Sequence, residues 1–132
     1  MNKFAAVLRF VLGLVYAVFG ANHLTPFLEP PGDAPPEAAA FGAALGATGY
    51  MWELVGLTQL VGGLLLWIPR TVPLGLVVLM PVTVNVVLYH ALLDPNLTTA
   101  FVGYAVGGLH LVLLLLYASS FGCLVRGRVD PS

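Results

Sequence analysis

Four apolar stretches, each about as long as a bilayer is thick, constrain the fold of this chain more than any other feature of its sequence. They run from Phe4 to Leu24, from Tyr50 to Ile68, from Val72 to Leu93 and from Ala100 to Phe121. A helix needs about 20 apolar residues to cross the hydrocarbon core, so each stretch is long enough for one crossing. The sequence therefore predicts an all-α fold, an integral membrane four-helix bundle in which residues 1–132 form a single membrane domain.

The composition fits a protein whose surrounding solvent is lipid. Only 8% of the residues are charged, against about a quarter in an average soluble domain. The five basic and six acidic residues form no basic patch, so we expect the lipid bilayer and not nucleic acid as a partner. A single cysteine, Cys123, excludes an internal disulfide. The first stretch could also act as a secretory signal, but no Ala-x-Ala cleavage site follows it directly.

The charges predict how the bundle is oriented. Loops rich in Lys and Arg stay on the cytoplasmic side of a membrane. Every basic residue falls at one end of the four spans: Lys3, Arg9, Arg70, Arg126 and Arg128. The two connections at the opposite end carry acidic residues and no basic ones. Their acidic residues are Glu29, Asp33, Glu37 and Asp94. Both termini are therefore predicted to be cytoplasmic. We expect Arg9, two turns inside the first span, to extend its side chain to the inner headgroups, with a buried functional role as the alternative.

The outer loop, residues 25–49, is predicted to cover the outer mouth of the bundle. Its first part, from Pro30 to Pro36, is too rich in proline to be helical. The segment from Glu37 to Ala47 is rich in alanine, with Phe41 and Leu45 four residues apart on one face. The pattern predicts a short amphipathic outer helix between spans one and two.

Glycines mark the faces on which the spans pack, because small residues let helices approach closely inside lipid. The predicted helix-packing residues are Gly13, Gly20, Gly56, Gly63, Gly103 and Gly107. These faces could point into the bundle or at a second copy of the chain. A homo-oligomer is therefore an open alternative.

Polar side chains gather in one layer near the outer surface when each is placed by the rise per residue of its helix. The candidate outer polar pocket consists of His23, Glu53, Asn85 and His90, with Asn22, Gln59, Tyr89 and His110 as a second tier. Ionisable groups inside a bilayer are costly and are functional candidates for that reason. The alternatives are hydration at the interface and hydrogen bonds between helices, and for Tyr89 an aromatic anchor at the headgroups.

Several chemistries could use this layer. A histidine and a carboxylate near one membrane face with aromatic walls would suit a proton-coupled quinone pocket. His23 and His90 could also hold a haem, or a divalent metal together with Glu53, but the spacing is not diagnostic and no short ligand motif is present, so no metal site is predicted. The chain has no nucleophile triad and no phosphate-binding glycine loop.

The ordered set of motifs resembles the DoxX-like family of small four-span bacterial membrane proteins. The residues that carry the resemblance span about three quarters of the chain: Gly20-Ala21-Asn22-His23, Pro36-Glu37-Ala38, Ala47-Thr48-Gly49-Tyr50, Gly62-Gly63-Leu64-Leu65-Leu66 with Arg70 and Val72-Pro73-Leu74, and Pro81-Val82-Thr83-Val84-Asn85 leading to His90. The resemblance implies a four-helix membrane bundle. The family takes its name from a membrane subunit of a thiosulfate:quinone oxidoreductase, and other relatives are linked to oxidative-stress complexes or to the assembly of membrane proteins.

The resemblance implies a multi-pass protein of the bacterial cytoplasmic (inner) membrane. It favours a membrane subunit or accessory protein of a redox system, with quinone as the cofactor it could contact. Because a fold does not fix a function, two alternatives stay open. One is a non-enzymatic scaffold or assembly factor for another membrane protein, and the other is a small-solute transporter.

Overall fold

The computed structural model describes residues 2–29 and 32–122, and over this part of the chain the fold is entirely helical, with no strands. The helices are α1 (Lys3–Leu24), α2 (Pro36–Ala47), α3 (Met51–Trp67), α4 (Val72–Leu88) and α5 (Leu97–Leu116). A π-helical turn, Tyr89–Leu93, continues α4, and a 3-10 turn, Ala118–Phe121, follows α5. The predictions made for Pro30, Pro31, Cys123, Arg126 and Arg128 lie outside the described residues.

Local sequence explains where the helices begin. The Asn2 side chain accepts a hydrogen bond from the Phe4 amide (3.0 Å) and the Asn96 side chain accepts one from Thr98 (3.1 Å), so both asparagines act as N-caps. Pro36 and Pro73 occupy first-turn positions, where the missing amide hydrogen costs nothing. Between α3 and α4 the Thr71 hydroxyl donates to the Leu65 carbonyl (2.8 Å), which closes the tight turn.

Three helical segments are long and apolar enough to cross a membrane: Lys3–Leu24, Val72–Leu93 and Leu97–Leu116. A fourth candidate is the pair α2 and α3, which meet at a bend of 94°. Helix α3 alone has 17 residues and is about 25 Å long, slightly shorter than a typical hydrocarbon core. The described chain thus has three or four candidate spans, with bounds within a few residues of the predicted ones.

Glycines form the contact between α1 and α3. A Cβ added to Gly13 would lie 2.7 Å from the Gly63 carbonyl oxygen, and one added to Gly63 would lie 2.7 Å from the Gly13 carbonyl oxygen. Gly20 and Gly56 face each other in the same way, about two helical turns along α1 from Gly13. Backbone therefore meets backbone along this seam, a close approach that small residues permit.

The glycines of α5 also face neighbours within the bundle. Gly103 lies against the His90 ring and Gly107 against Val87. Gly108, in contrast, has open space where its side chain would be. Within one chain the predicted packing glycines are therefore covered by neighbouring helices.

The bundle is apolar outside and partly polar inside. Large hydrophobic side chains are exposed along every span, for instance Phe4, Leu57, Leu74 and Leu115, which is 68% exposed. The buried polar side chains are Arg9, Gln59, Thr83, Asp94 and His110. Soluble monomers rarely expose large apolar side chains along the whole length of their helices. The helix lengths and this surface are consistent with a multi-pass helical membrane protein.

Helix α2 lies across one end of the bundle. The Trp52 indole donates to the Gly42 carbonyl (3.3 Å), and the Phe41 ring lies 5.9 Å from the Tyr89 ring. Ala38 is its buried residue, while the opposite side is composed largely of exposed alanines. The helix is therefore present where it was predicted, but the expected amphipathic contrast is weak because both faces are apolar.

Charges separate to the two ends of the described bundle. Lys3 and Arg70 lie at one end, here called the basic end, whereas Glu29, Asp33, Glu37, Glu53 and Asp94 lie at the other, the acidic end. The expectation that Arg9 reaches the headgroups is wrong. Its side chain is 7% exposed and donates to the main-chain carbonyls of Leu66 (3.1 Å) and Trp67 (3.2 Å), because the last carbonyls of α3 have no amide partners of their own.

Candidate functional site

The four residues of the predicted outer pocket lie at the acidic end of the bundle but belong to separate environments. His23 of α1 is hydrogen-bonded through Nδ1 to the Gln59 side chain of α3 (2.9 Å). The same imidazole stacks on Trp52, with ring centroids 4.8 Å apart and planes 9° from parallel. This arrangement joins α1 to α3 and fixes the orientation of His23.

His90 belongs to a second cluster, formed by the π-helical turn and α5. Its Nδ1 is buried and lies 3.8 Å from the Asp94 carboxylate, which also accepts a hydrogen bond from the Thr99 hydroxyl (2.8 Å). The ring lies against Gly103, where a side chain would collide with it. Asp94 thus faces the imidazole on its buried side, an arrangement that favours the proton of a neutral ring on Nδ1.

A groove of about 160 Å³ lies beneath α2 at the acidic end of the bundle. Its walls are Phe41, Leu88, Leu92 and Leu93, with Asn85 and Tyr89 as the polar lining residues. The Asn85 amide donates to the Pro81 carbonyl (3.0 Å), which leaves its oxygen and its second N–H available among the described residues. The Tyr89 hydroxyl makes no hydrogen bond within the described chain. Two polar groups are thus available in an otherwise apolar groove.

Glu53 and Asn22 make no side-chain hydrogen bond with the residues of either histidine cluster in the described part of the chain. Glu53 is exposed in the first turn of α3 and makes no side-chain hydrogen bond with the described residues. The Asn22 oxygen accepts from the amides of Phe27 (2.9 Å) and Leu28 (2.8 Å). Asn22 therefore shapes the loop that follows α1, and of the predicted quartet Asn85 alone lines the groove.

A network in the middle of the bundle was not anticipated from the sequence. The Tyr16 hydroxyl of α1 is hydrogen-bonded to the Thr83 hydroxyl of α4 (2.5 Å), and Thr83 is hydrogen-bonded to Nδ1 of His110 on α5 (2.6 Å). All three side chains are buried. His110 and Gln59, both second-tier candidates of the predicted pocket, have different partners, since Gln59 bonds to His23. The missed signal was Tyr16, a tyrosine at mid-span and not at a membrane interface, where aromatic anchors belong.

The arrangement offers no metal centre within the described residues. No group of three His, Cys, Asp or Glu side chains comes together there, so His23, His90 and Glu53 do not form the metal site considered from the sequence. The two histidines belong to different clusters, one against Trp52 and the other against Gly103. The groove and the central network are therefore the two polar features left to explain.

Comparisons with protein-family models, with curated proteins and with solved structures find no match to this chain. The fold and surface define the class, an all-helical chain with three or four candidate membrane spans. Membership of the DoxX-like family stays a prediction that rests on the motifs of the sequence.

Proposed function

We propose that this chain is a DoxX-like membrane protein of the bacterial cytoplasmic membrane that binds a quinone headgroup in the groove beneath α2. In this role it serves as a membrane subunit or accessory protein of a quinone-linked redox system. The observation that carries the proposal is the groove itself, where the Asn85 amide and the Tyr89 hydroxyl are free to hydrogen-bond within apolar walls.

The size and position of the groove support a ring with a lipid tail. Its volume of about 160 Å³ is below the roughly 300 Å³ at which pockets for whole drug-sized ligands begin, so it suits a single ring. Leu88 and Leu92 on its rim are 48% and 73% exposed on the apolar exterior. A tail could therefore stay in the bilayer while the ring carbonyls accept hydrogen bonds from Tyr89 and Asn85.

The orientation proposed for the bundle puts the basic end in the cytoplasm and α2 outside. The positive-inside rule supports this, since Lys3, Arg9 and Arg70 all belong to the basic end and the acidic residues of the described chain to the other. Quinone would then be bound near the outer face of the membrane.

Quinone binding tests the proposal directly. The purified protein, in detergent, is titrated with a short-tailed ubiquinone or menaquinone, and binding is followed by native mass spectrometry. We expect Tyr89→Phe to weaken binding roughly 5- to 10-fold, because it removes one hydrogen bond of about 1 kcal/mol, and Asn85→Leu to weaken it at least as much. The matched control is Tyr104→Phe, since Tyr104 is exposed on α5 away from the groove. Absence of quinone binding, or equal binding by all variants, would overturn the proposal.

A scaffold role is the second candidate, and the exposed alanine face of α2 favours it. Ala39, Ala40, Ala43 and Ala44 are all exposed and would let a helix of another protein approach closely. Copurification of one membrane protein that is lost in Ala43→Leu but kept in Tyr89→Phe would support the scaffold over quinone binding. Solute flux into liposomes that contain the chain alone would instead indicate transport.

A further inference from the structure

We infer that His110 is a proton-binding site in the middle of the membrane bundle, formed with Thr83 and Tyr16. This inference does not depend on the groove beneath α2. The hydroxyl of Thr83 makes more hydrogen bonds than one hydrogen can supply.

Thr83 Oγ1 has three partners within the described residues. It donates to the Leu79 carbonyl (3.0 Å), and it is also bonded to the Tyr16 hydroxyl (2.5 Å) and to His110 Nδ1 (2.6 Å). A threonine hydroxyl has one hydrogen and two lone pairs. Since the carbonyl can only accept, Thr83 gives its hydrogen to Leu79, and the other two partners must both donate to Thr83.

This distribution of hydrogens fixes the tautomer of His110. Its Nδ1 must carry a proton in order to donate to Thr83, so in the neutral ring Nε2 carries none. Nε2 is buried, and no described group completes a hydrogen bond with it. A basic lone pair therefore stands unpartnered inside the bundle, on a side chain that is 1% exposed.

A proton is the ligand that this lone pair is arranged to take. The main-chain carbonyl of Leu76, on α4, lies beside the imidazole and is an acceptor. Once Nε2 is protonated the ring has a second N–H beside this carbonyl, while Nδ1 keeps its bond to Thr83. The imidazolium would then donate to Thr83 from Nδ1 and carry its charge next to the Leu76 carbonyl dipole.

The surroundings leave His110 as the group that exchanges the proton. Of the elements packed against α5, α1 contributes the Tyr16 hydroxyl, and α4 contributes Thr83 and main-chain carbonyls. In the π-helical turn, Tyr89 faces Phe41, and His90 is paired with Asp94. Arg9 donates to the carbonyls that end α3. Within the described chain, the titratable side chain bonded into the network besides His110 is therefore Tyr16.

Nitrogen NMR of the full chain, labelled with ¹⁵N at histidine and placed in bilayers, tests this site. The His110 signals are assigned as those that persist in His23→Gln and in His90→Gln, so the His110 variant itself is not needed. Spectra are recorded as the pH is lowered from about 8 to about 4, and we expect a neutral ring that is protonated on Nδ1 and that takes a second proton on Nε2. A neutral ring protonated on Nε2, or no proton uptake over this range, would overturn the inference.

Thr83→Val supplies the matched perturbation. Without the Thr83 hydroxyl, Nδ1 loses its acceptor, and we expect the single proton of the neutral ring to move to Nε2 in part of the molecules. Thr58→Val is the control, because the Thr58 hydroxyl donates to the Leu54 carbonyl (2.8 Å) within α3 and takes no part in the network. A His110 tautomer that is identical in both variants would contradict the role given to Thr83.

Discussion

At the scale of single residues, Arg9 shows how an apolar helical bundle uses a buried charge. Its guanidinium satisfies two carbonyls at the end of α3, where the helix dipole also favours a positive group. We expect Arg9→Met to lower the free energy of unfolding by about 1.5–3 kcal/mol, the contribution of hydrogen bonds from a charged group. Arg70→Met should change it by less than about 0.5 kcal/mol, because Arg70 is exposed in the turn after α3. Unfolding of the two variants in detergent measures both changes in stability. Equal losses of stability would contradict the capping role of Arg9.

At the scale of helices, the seam between α1 and α3 depends on the absence of side chains. A methyl group at Gly63 would meet the Gly13 carbonyl oxygen at 2.7 Å and force the two helices apart. We expect Gly63→Ala to destabilise the protein by about 1–3 kcal/mol. Gly108→Ala should instead be neutral or stabilise it by up to about 1 kcal/mol, since its added methyl meets open space and alanine favours helix. If both variants lower the free energy of unfolding by the same amount, the close backbone contact between α1 and α3 would be contradicted.

At the scale of the whole molecule, the separation of charge predicts one orientation in the membrane. In a Cys123→Ser background, Asp33→Cys should react with a membrane-impermeant maleimide on intact cells, whereas Arg70→Cys should react only after the membrane is permeabilised. The opposite labelling pattern would show that the bundle has the reverse orientation and would contradict the prediction.

The sequence predicted the helices and their bounds well because membrane spans are defined by length and hydrophobicity alone. It predicted the layer of polar residues by depth, but depth does not say which side of a helix each residue faces. His23 and His90 therefore reach different neighbours, Trp52 and Gly103, at one end of the bundle. Tyr16 was missed since an interior tyrosine contributes apolar surface and a hydroxyl whose partner lies on another helix, which a single-chain pattern does not reveal.

The central claim is that a quinone from the bilayer is bound beneath α2, and photolabelling in native membranes tests it most directly. A quinone with a photoreactive group on its ring should form adducts with Phe41, Tyr89 or Leu92, which line one groove although Phe41 is far from the others in sequence. Excess unlabelled quinone should prevent these adducts, and Asn85→Leu should reduce them. Adducts confined to other faces of the bundle, or labelling that unlabelled quinone does not reduce, would contradict the account.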